Sequence, residues 1–310
     1  MIKNVYICSA GHSGSTLLDM LIGSHSRVES LGEITHLPKN LALNTICGCG
    51  HSVRECEFWK GTINNIEKNS NINISKNPYA LDLGYISARI IIDKKHQTVF
   101  YNLARKISHG LIYLYYRYSI PLHYFLLPRF IESIKNNILL YDSVRNYSGS
   151  DLIVDSSKAY LKGLGVYLHN KDETRIVVLV RDGRGVFYSN LKRGFDRRKS
   201  LNGWINYYQR ALSLIDRHVN KEHVLFVKYE DLAKNTKKVM EEISRFVDIE
   251  YESTMLDFSS KVHHITNGNN TRFKSSKIKL DEAWKNDLNE SDLNYFNLNA
   301  LDLNKRLGYE

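Results

Sequence analysis

The stretch Val5-Tyr6-Ile7-Cys8-Ser9-Ala10-Gly11-His12-Ser13-Gly14-Ser15-Thr16-Leu17 decides how the rest of this chain is read. It opens on a short apolar run suited to a buried strand. Two glycines and several hydroxyls follow, and residues 16–24 then carry a helical period. A Gly-rich turn between strand and helix aims successive backbone N–H groups at one point, where the helix macrodipole also favours negative charge. The hydroxyls of Ser13, Ser15 and Thr16 add donors. The pattern predicts a phosphate- or sulfate-binding loop over residues 11–16, with a purely structural glycine turn as its plainer alternative. Ser15 stands where the G-x-x-x-x-G-K-[ST] loop of NTPases carries lysine, so the grip of a kinase or ATPase on β- and γ-phosphates is missing.

Outward from this loop, residues 152–154, 176–180 and 224–227 repeat the short, β-branched strand pattern, and residues 27–31 form a weaker fifth case. None alternates cleanly, which predicts strands buried on both faces of a parallel sheet. Helix-period segments at 16–24, 185–192 and 237–247 lie between or after them. The expected fold is therefore α/β: a P-loop-like parallel β-sheet flanked by helices. The strand–helix rhythm lapses between residues 34 and 150. Residues 79–137, rich in Tyr, Leu and Ile, predict a helical insertion, so that 1–310 form one domain with an insertion at roughly 60–145. A polar, Asn-rich tail from residue 267 leads into an expected helix over 281–303.

Composition bounds the class. The 310 residues are 43% hydrophobic and 25% charged, with only 4 prolines, an ordinary globular balance. The formal charge of +10 welcomes an anionic partner but does not choose among nucleic acid, acidic lipid, anionic glycan and nucleotide. The apolar run after Met1 is too short for a signal-peptide core. The longest hydrophobic stretch, 110–130, is interrupted by Arg117, Pro121, His123 and Arg129, which argues against a spanning helix. The expectation is a cytoplasmic chain, with peripheral membrane association left open.

A second signature follows the apolar run at 176–180: Arg181-Asp182-Gly183-Arg184-Gly185-Val186-Phe187-Tyr188-Ser189. A guanidinium at a strand end forks onto a phosphate, and a hydroxyl on the next helix supplies a further donor. Together the two signatures resemble those of the sulfotransferases that use 3′-phosphoadenosine 5′-phosphosulfate (PAPS). In that family the loop typically reads Lys/Arg-Ser-Gly-Thr/Ser-Thr, matched here by Ser13, Gly14, Ser15, Thr16 and Leu17. The arginine and the serine eight residues later, here Arg181 and Ser189, hold the donor's 3′-phosphate. His12 takes the place usually held by a cation, so charge stabilisation at that corner falls to His12, to Lys158 or to a group elsewhere.

Three more segments agree with the resemblance. Lys228-Tyr229-Glu230-Asp231-Leu232 is similar to the family's Y-E-D-L segment, whose tyrosine lies near the adenine. Asp155-Ser156-Ser157-Lys158 is similar to the D-S-S-K segment of bacterial members. His264 to Lys274 resembles an H-x-x-x-G-N-x-x-R stretch, with Gly268, Asn269 and Arg272 in place. Arg272 and Lys274 thereby become candidates for the 3′-phosphate. The resemblance covers roughly residues 3–35, 150–235 and 262–290, and it belongs to the bacterial glycan and protein-tyrosine branch.

That branch implies catalytic roles. Glu33, in a Gly-Glu segment after the weak strand, is the expected general base, a role worth about 10²–10⁴ in rate. Lys158 is expected to stabilise the sulfonate or the leaving oxygen, with His12 beside it and His36 as an alternative base. The implied reaction moves sulfonate from PAPS to a hydroxyl, giving adenosine 3′,5′-bisphosphate, and needs no metal. A saccharide or glycan is the expected acceptor, with a protein tyrosine or a small molecule as alternatives. A P-loop kinase is disfavoured by Ser15. A nucleic-acid or polyanion-binding module leaves the Arg181/Ser189 pair unexplained, and no nucleic-acid partner is expected.

Cys47-Gly48-Cys49-Gly50-His51 and Cys56 remain apart from this chemistry. C-x-C-x-H-x4-C offers four zinc-ligating side chains, although the spacing is tighter than in the usual two-knuckle sites. Cys49, Cys56, Phe58 and Trp59 also match a cysteine-containing stretch of bacterial sulfotransferases. Free thiols, a Cys49–Cys56 disulfide and a zinc site all stay open, the disulfide disfavoured by a reducing cytoplasm.

Overall fold

A computed structural model describes residues 1–84, 99–119, 127–267 and 278–310 of the chain, with side chains described throughout except at 99–105. In chain order the strands are β1 (Asn4–Ser9), β2 (Val28–Ser30), β3 (Leu152–Asp155), β4 (Thr174–Val180) and β5 (Val224–Lys228). Helix α1 (Ser15–Gly23) follows β1. Helices α2 (Leu37–Leu43), α3 (Glu57–Asn69), α4 (Val99–Tyr118) and α5 (Leu127–Ser148) lie between β2 and β3. Then come α6 (Tyr160–His169), α7 (Gly183–Leu191), α8 (Arg197–His218), α9 (Tyr229–Lys234), α10 (Thr236–Phe246), α11 (Trp284–Asp287) and α12 (Glu290–Arg306).

The five strands form a parallel sheet in the order β2-β3-β1-β4-β5. Val5 pairs with Val154 on one side of β1, and Cys8 with Val178 on the other. Side-chain alternation sorts these strands onto two buried faces. Val5, Ile7, Leu152, Val154, Val177 and Leu179 pack with Leu18 and Leu21 of α1 and Met240 and Ile243 of α10. Tyr6, Cys8, Ile153, Ile176, Val178 and Val180 pack with Tyr141 of α5, Leu161 of α6 and Trp204 of α8. Each such aliphatic side chain withdrawn from water contributes about 1.5–3 kcal/mol. Because helices cover both faces, the central strands read as unbroken apolar runs.

The edges differ. β5 was expected to be buried on both faces, yet Phe226 is 52% exposed, because the strand ends the sheet and one side of it meets solvent. The expected helix over 281–303 is two helices: Asn289 is extended and its side chain accepts a hydrogen bond from the Asp292 amide, starting α12 afresh. The 22-residue α8 was not anticipated. Within the expected insertion, α3 packs along α5, and α5 meets β3. Among the described residues no helix is long and apolar enough to cross a membrane.

Topology places the site. From β1 the chain moves to one side of the sheet, to β2 and β3, and from β4 it moves to the other, to β5. Their C-terminal ends therefore flank a crevice, where ligands of open α/β sheets bind.

Candidate functional site

The first wall of the crevice is the loop between β1 and α1. His12 (φ 64°) and Gly14 (φ 90°) both adopt left-handed backbone. A side chain at Gly14 would also come within 2.6 Å of the Tyr229 ring, so glycine is required there for conformation and for contact. Gly14 precedes α1 without a side-chain cap, and the first turn carries no acidic residue. The amides of Ser15, Thr16 and Leu17 have no helical carbonyl to meet, and the positive end of the helix opens into the cleft. This cradle suits an anion. Gly11, His12, Gly14, Ser15, Thr16 and Leu17 line a cleft of about 850 Å³. Ser13 is fully buried and does not line it.

Arg181, directly after β4, forms the second wall. Its guanidinium donates to the His12 carbonyl at 3.0 Å, and to the carbonyl and carboxylate of Asp281 at 2.7 and 3.0 Å. It also lies over the Tyr229 ring, 4.7 Å from the centroid. The Tyr229 hydroxyl donates to the Lys279 carbonyl and accepts from the Asp281 amide. Glu230 accepts from the Asp182 amide and from the Tyr309 hydroxyl, fixing the turn that presents Arg181. Burial works against ionisation of Asp281, yet the Arg181 hydrogen bond and charge hold its carboxyl below the usual range. Ser189, two turns along α7, accepts from Arg193 at 2.5 Å. Arg181, Ser189 and Arg193 all face the same cleft.

The third wall joins the turns after β2 and β3. Glu33 precedes a single 3₁₀ turn, and Lys158 has left-handed backbone at φ 68°. The Lys158 ammonium and the Glu33 carboxylate form an ion pair. Asn267 donates to the other Glu33 oxygen at 3.5 Å, and His36 Nε2 stands 3.8 Å from it. The turns are laced together: Leu31 N–H donates to the Val154 carbonyl and Ser156 N–H to that of Gly32.

Beneath them lies a buried ion pair, Lys162 to Asp155 at 2.8 Å, each side chain 1% exposed. Lys162 also donates to Thr35 Oγ1 and Ser157 Oγ, while the Tyr141 hydroxyl donates to Asp155. Burial pulls the Lys162 ammonium below its ordinary pKa, and Asp155 opposes that pull. The D-S-S-K segment is thus a cross-braced platform for Lys158, whose carbonyl accepts from the Tyr207 hydroxyl at 2.6 Å.

Electrostatics separates His12 from its neighbours. Burial, followed by the charges of Arg193, Lys158 and Arg181, pushes its imidazole down to about 4. At neutral pH it is uncharged and cannot replace the cation of the usual loop. The Lys158 ammonium supplies positive charge near that corner instead.

The structure brings Glu33, Lys158, His12, Arg181, Ser189 and Tyr229 into one cleft with the loop. Arg272 and Lys274, with Gly268 and Asn269, lie outside the described residues. His36 does not line the cleft. Sequence reasoning missed Arg193, Asn267, Lys279 and Asp281, all of which do. No local signal marked Arg193, which follows the end of α7 and stands among other basic residues.

Comparison with known proteins bears on the fold. Residues 129–253 match the model of the Sulfotransferase family, a span holding Lys158, Arg181, Ser189 and Tyr229. No curated protein sequence matches the chain. The sulfotransferase domain of the Synechococcus PCC 7002 olefin synthase is similar in structure, with a TM-score of 0.57 and 18% identity, covering 100% of this chain and 96% of that one. The sulfotransferase domain from the curacin biosynthetic pathway gives 0.50 and 16%, with coverage of 100% and 99%. Sulfotransferase STF9 from Mycobacterium avium gives 0.50 and 10%, with coverage of 100% and 78%. The fold is that of the sulfotransferases.

Proposed function

From a chain with the sulfotransferase fold and a sulfotransferase-family segment, we propose a PAPS-dependent O-sulfotransferase acting on a hydroxyl acceptor, with a saccharide or glycan as the preferred class. One observation carries this reading. A single cleft holds an uncapped helix N-terminus, an Arg–Ser pair two helical turns apart and a Glu–Lys pair. The chemistry of PAPS calls for these three groups: a cradle for the 5′-phosphosulfate, a fork for the 3′-phosphate and a base for the acceptor.

In this account the loop amides and Ser15 and Thr16 hold the phosphosulfate, while Arg181, Ser189 and Arg193 hold the 3′-phosphate, with Arg272 and Lys274 as further candidates. Glu33 takes the acceptor proton as the acceptor oxygen forms its bond to sulfur. The bond between sulfur and the bridging oxygen breaks, and adenosine 3′,5′-bisphosphate leaves with the electron pair. Lys158 and the loop amides stabilise the charge that grows on that oxygen. The Glu33–Lys158 ion pair supports a resting state in which each protects the other. An incoming sulfonate draws Lys158 away and frees the carboxylate.

We take the chain as a single domain and place the acceptor side where the described part of its helical insertion meets the Glu33 turn. Gly84 lies against the Thr35 methyl, two residues from Glu33. A protein tyrosine is the second reading, favoured by the Glu33–Lys158 pair itself. We keep the cytoplasm as the expected location of this chain.

Incubation with sulfur-labelled PAPS and a panel of oligosaccharides, tyrosine peptides, phenols and alkyl alcohols tests the proposal. Labelled saccharide is the expected product. Label on tyrosine peptides alone would replace the acceptor class, and failure to bind the donor would reject the reading.

A further inference from the structure

One cluster of chemically potent side chains stands apart from the donor cleft. Cys47, Cys49, Cys56 and His264 bring three thiols and one imidazole together, with all four ligand atoms within 4.8 Å of one another. His264 Nδ1 is 3.3 Å from Cys56 Sγ and 4.0 Å from Cys47 Sγ. In a tetrahedral zinc site with Zn–S near 2.3 Å and Zn–N near 2.0 Å, neighbouring ligand atoms sit about 3.5–3.8 Å apart. The observed separations bracket that value.

The backbone holds these ligands in place. Residues 46 and 52 form an antiparallel bridge. Inside it, Cys47 N–H donates to the His51 carbonyl and Gly50 N–H to that of Cys47, with Gly50 left-handed at φ 89°. This tight knuckle presents Cys47 and Cys49 from one turn. Cys56 stands at the N-terminus of α3, where the helix dipole favours a thiolate. The His264 ring is clamped flat against Phe58, 4.4 Å between centroids, and its carbonyl accepts from Trp59 Nε1. His51, the histidine of the local motif, is exposed and outside the cluster.

We infer that Cys47, Cys49, Cys56 and His264 form a structural zinc site that clips the segment at 47–59 to the segment at 263–267. Three sulfurs and one nitrogen in a closed, largely buried arrangement suit zinc, and leave no open position for a catalytic water. A disulfide would use two of the thiols and leave the third and the imidazole without a purpose at that distance.

The clip has a consequence for the cleft. Gly48 N–H donates to the Ile265 carbonyl, and a side chain at Gly48 would collide with the His263 carbonyl at 2.2 Å. Asn40 donates to Thr266, and Asn267 reaches Glu33. The zinc thus anchors the wall that carries Asn267 to the Glu33 turn. The metal assignment stands on the ligand geometry alone and holds whatever the acceptor proves to be.

The test is elemental analysis of the full-length protein purified under reducing conditions, with cobalt uptake by the stripped protein as the second readout. About one zinc per chain is expected, together with the charge-transfer and intense ligand-field bands of tetrahedral thiolate-bound cobalt. His264→Ala and Cys56→Ser should abolish retention, while His51→Ala should keep it. Negligible zinc with no cobalt spectrum, iron with acid-labile sulfide, a Cys–Cys cross-link by mass spectrometry, or loss of metal in His51→Ala would each overturn the assignment. Cobalt uptake by the unaltered chain keeps the test decisive if the variants fail to fold.

Discussion

Arg181 and Asp281 are joined through both the carbonyl and the carboxylate of Asp281, at 2.7 and 3.0 Å, inside the cleft that would receive a nucleotide. The guanidinium is 8% exposed at its side chain, whereas the aspartate is 55% exposed. The arginine is built in, and the carboxylate is a displaceable occupant of its free face. On the proposed function, an incoming 3′-phosphate would compete with Asp281 for the same donors and meet its negative charge.

Asp281→Asn is therefore expected to tighten binding of adenosine 3′,5′-bisphosphate by about 0.2–1 kcal/mol, the value of an exposed charge contact. Calorimetric titration checks it. Weaker binding by the variant would mean that the carboxylate orients Arg181 rather than competing with the phosphate.

Arg193→Ala should weaken adenosine 3′,5′-bisphosphate by about 1.5–3 kcal/mol, the range for a hydrogen bond to a charged group. The same variant should leave binding of a ligand lacking the 3′-phosphate nearly unchanged. Equal losses for both ligands would move Arg193 away from the 3′ end.

Glu33→Gln is expected to lower kcat by about 10²–10⁴, with donor affinity little altered. Lys158→Met should lower kcat and also weaken the donor, because its ammonium serves the phosphosulfate. Near-normal turnover in Glu33→Gln would remove Glu33 as the base.

His12 is pushed down to about 4 by burial and by neighbouring cations, so its ring should titrate near that value in the free protein. A bound 5′-phosphate adds negative charge beside it and should raise the midpoint. Since the unfolded ring titrates near about 6.5, the unfolded chain binds more protons between the two values. Stability contributed by neutral His12 is thus full above that window and falls as pH drops through it. His12→Asn should flatten this part of the stability profile. Ring titration followed by NMR, with and without nucleotide, reads both effects.

Lys162→Met leaves Asp155 buried without its cation and should cost about 3–5 kcal/mol of stability. Denaturant unfolding checks the cost. Turnover of the folded variant should also fall, because Thr35 and Ser157, which flank Glu33 and Lys158, lose a shared donor.

Much of this was legible in the sequence because it is local. Residues 5–17 hold a strand, a turn and a helix start in one run, and Arg181 and Ser189 are two helical turns apart. β4 declared itself because it is buried on both faces, while β5 misled because an edge strand can carry the same residue types. Arg193 sits among Lys192, Arg197 and Arg198, and nothing in composition distinguishes the cation that faces the cleft from those that face water. Asp281 and Asn267 reach the site only through tertiary packing. The cysteine cluster is the clearest such case. The histidine suggested by spacing was His51, but the chain folds His264 onto Cys56 across 208 residues, a contact no local pattern reports.

The proposed function requires that this cleft bind the 3′-phosphorylated adenine nucleotide of a sulfonate donor. Calorimetric titration of the purified chain with adenosine 3′,5′-bisphosphate, beside adenosine 5′-phosphosulfate, which lacks the 3′-phosphate, tests it most directly. Saturable binding of the bisphosphate is expected, at least about tenfold tighter than the analogue, with the preference lost in Arg181→Ala. No binding, or equal affinity for both nucleotides, would contradict it.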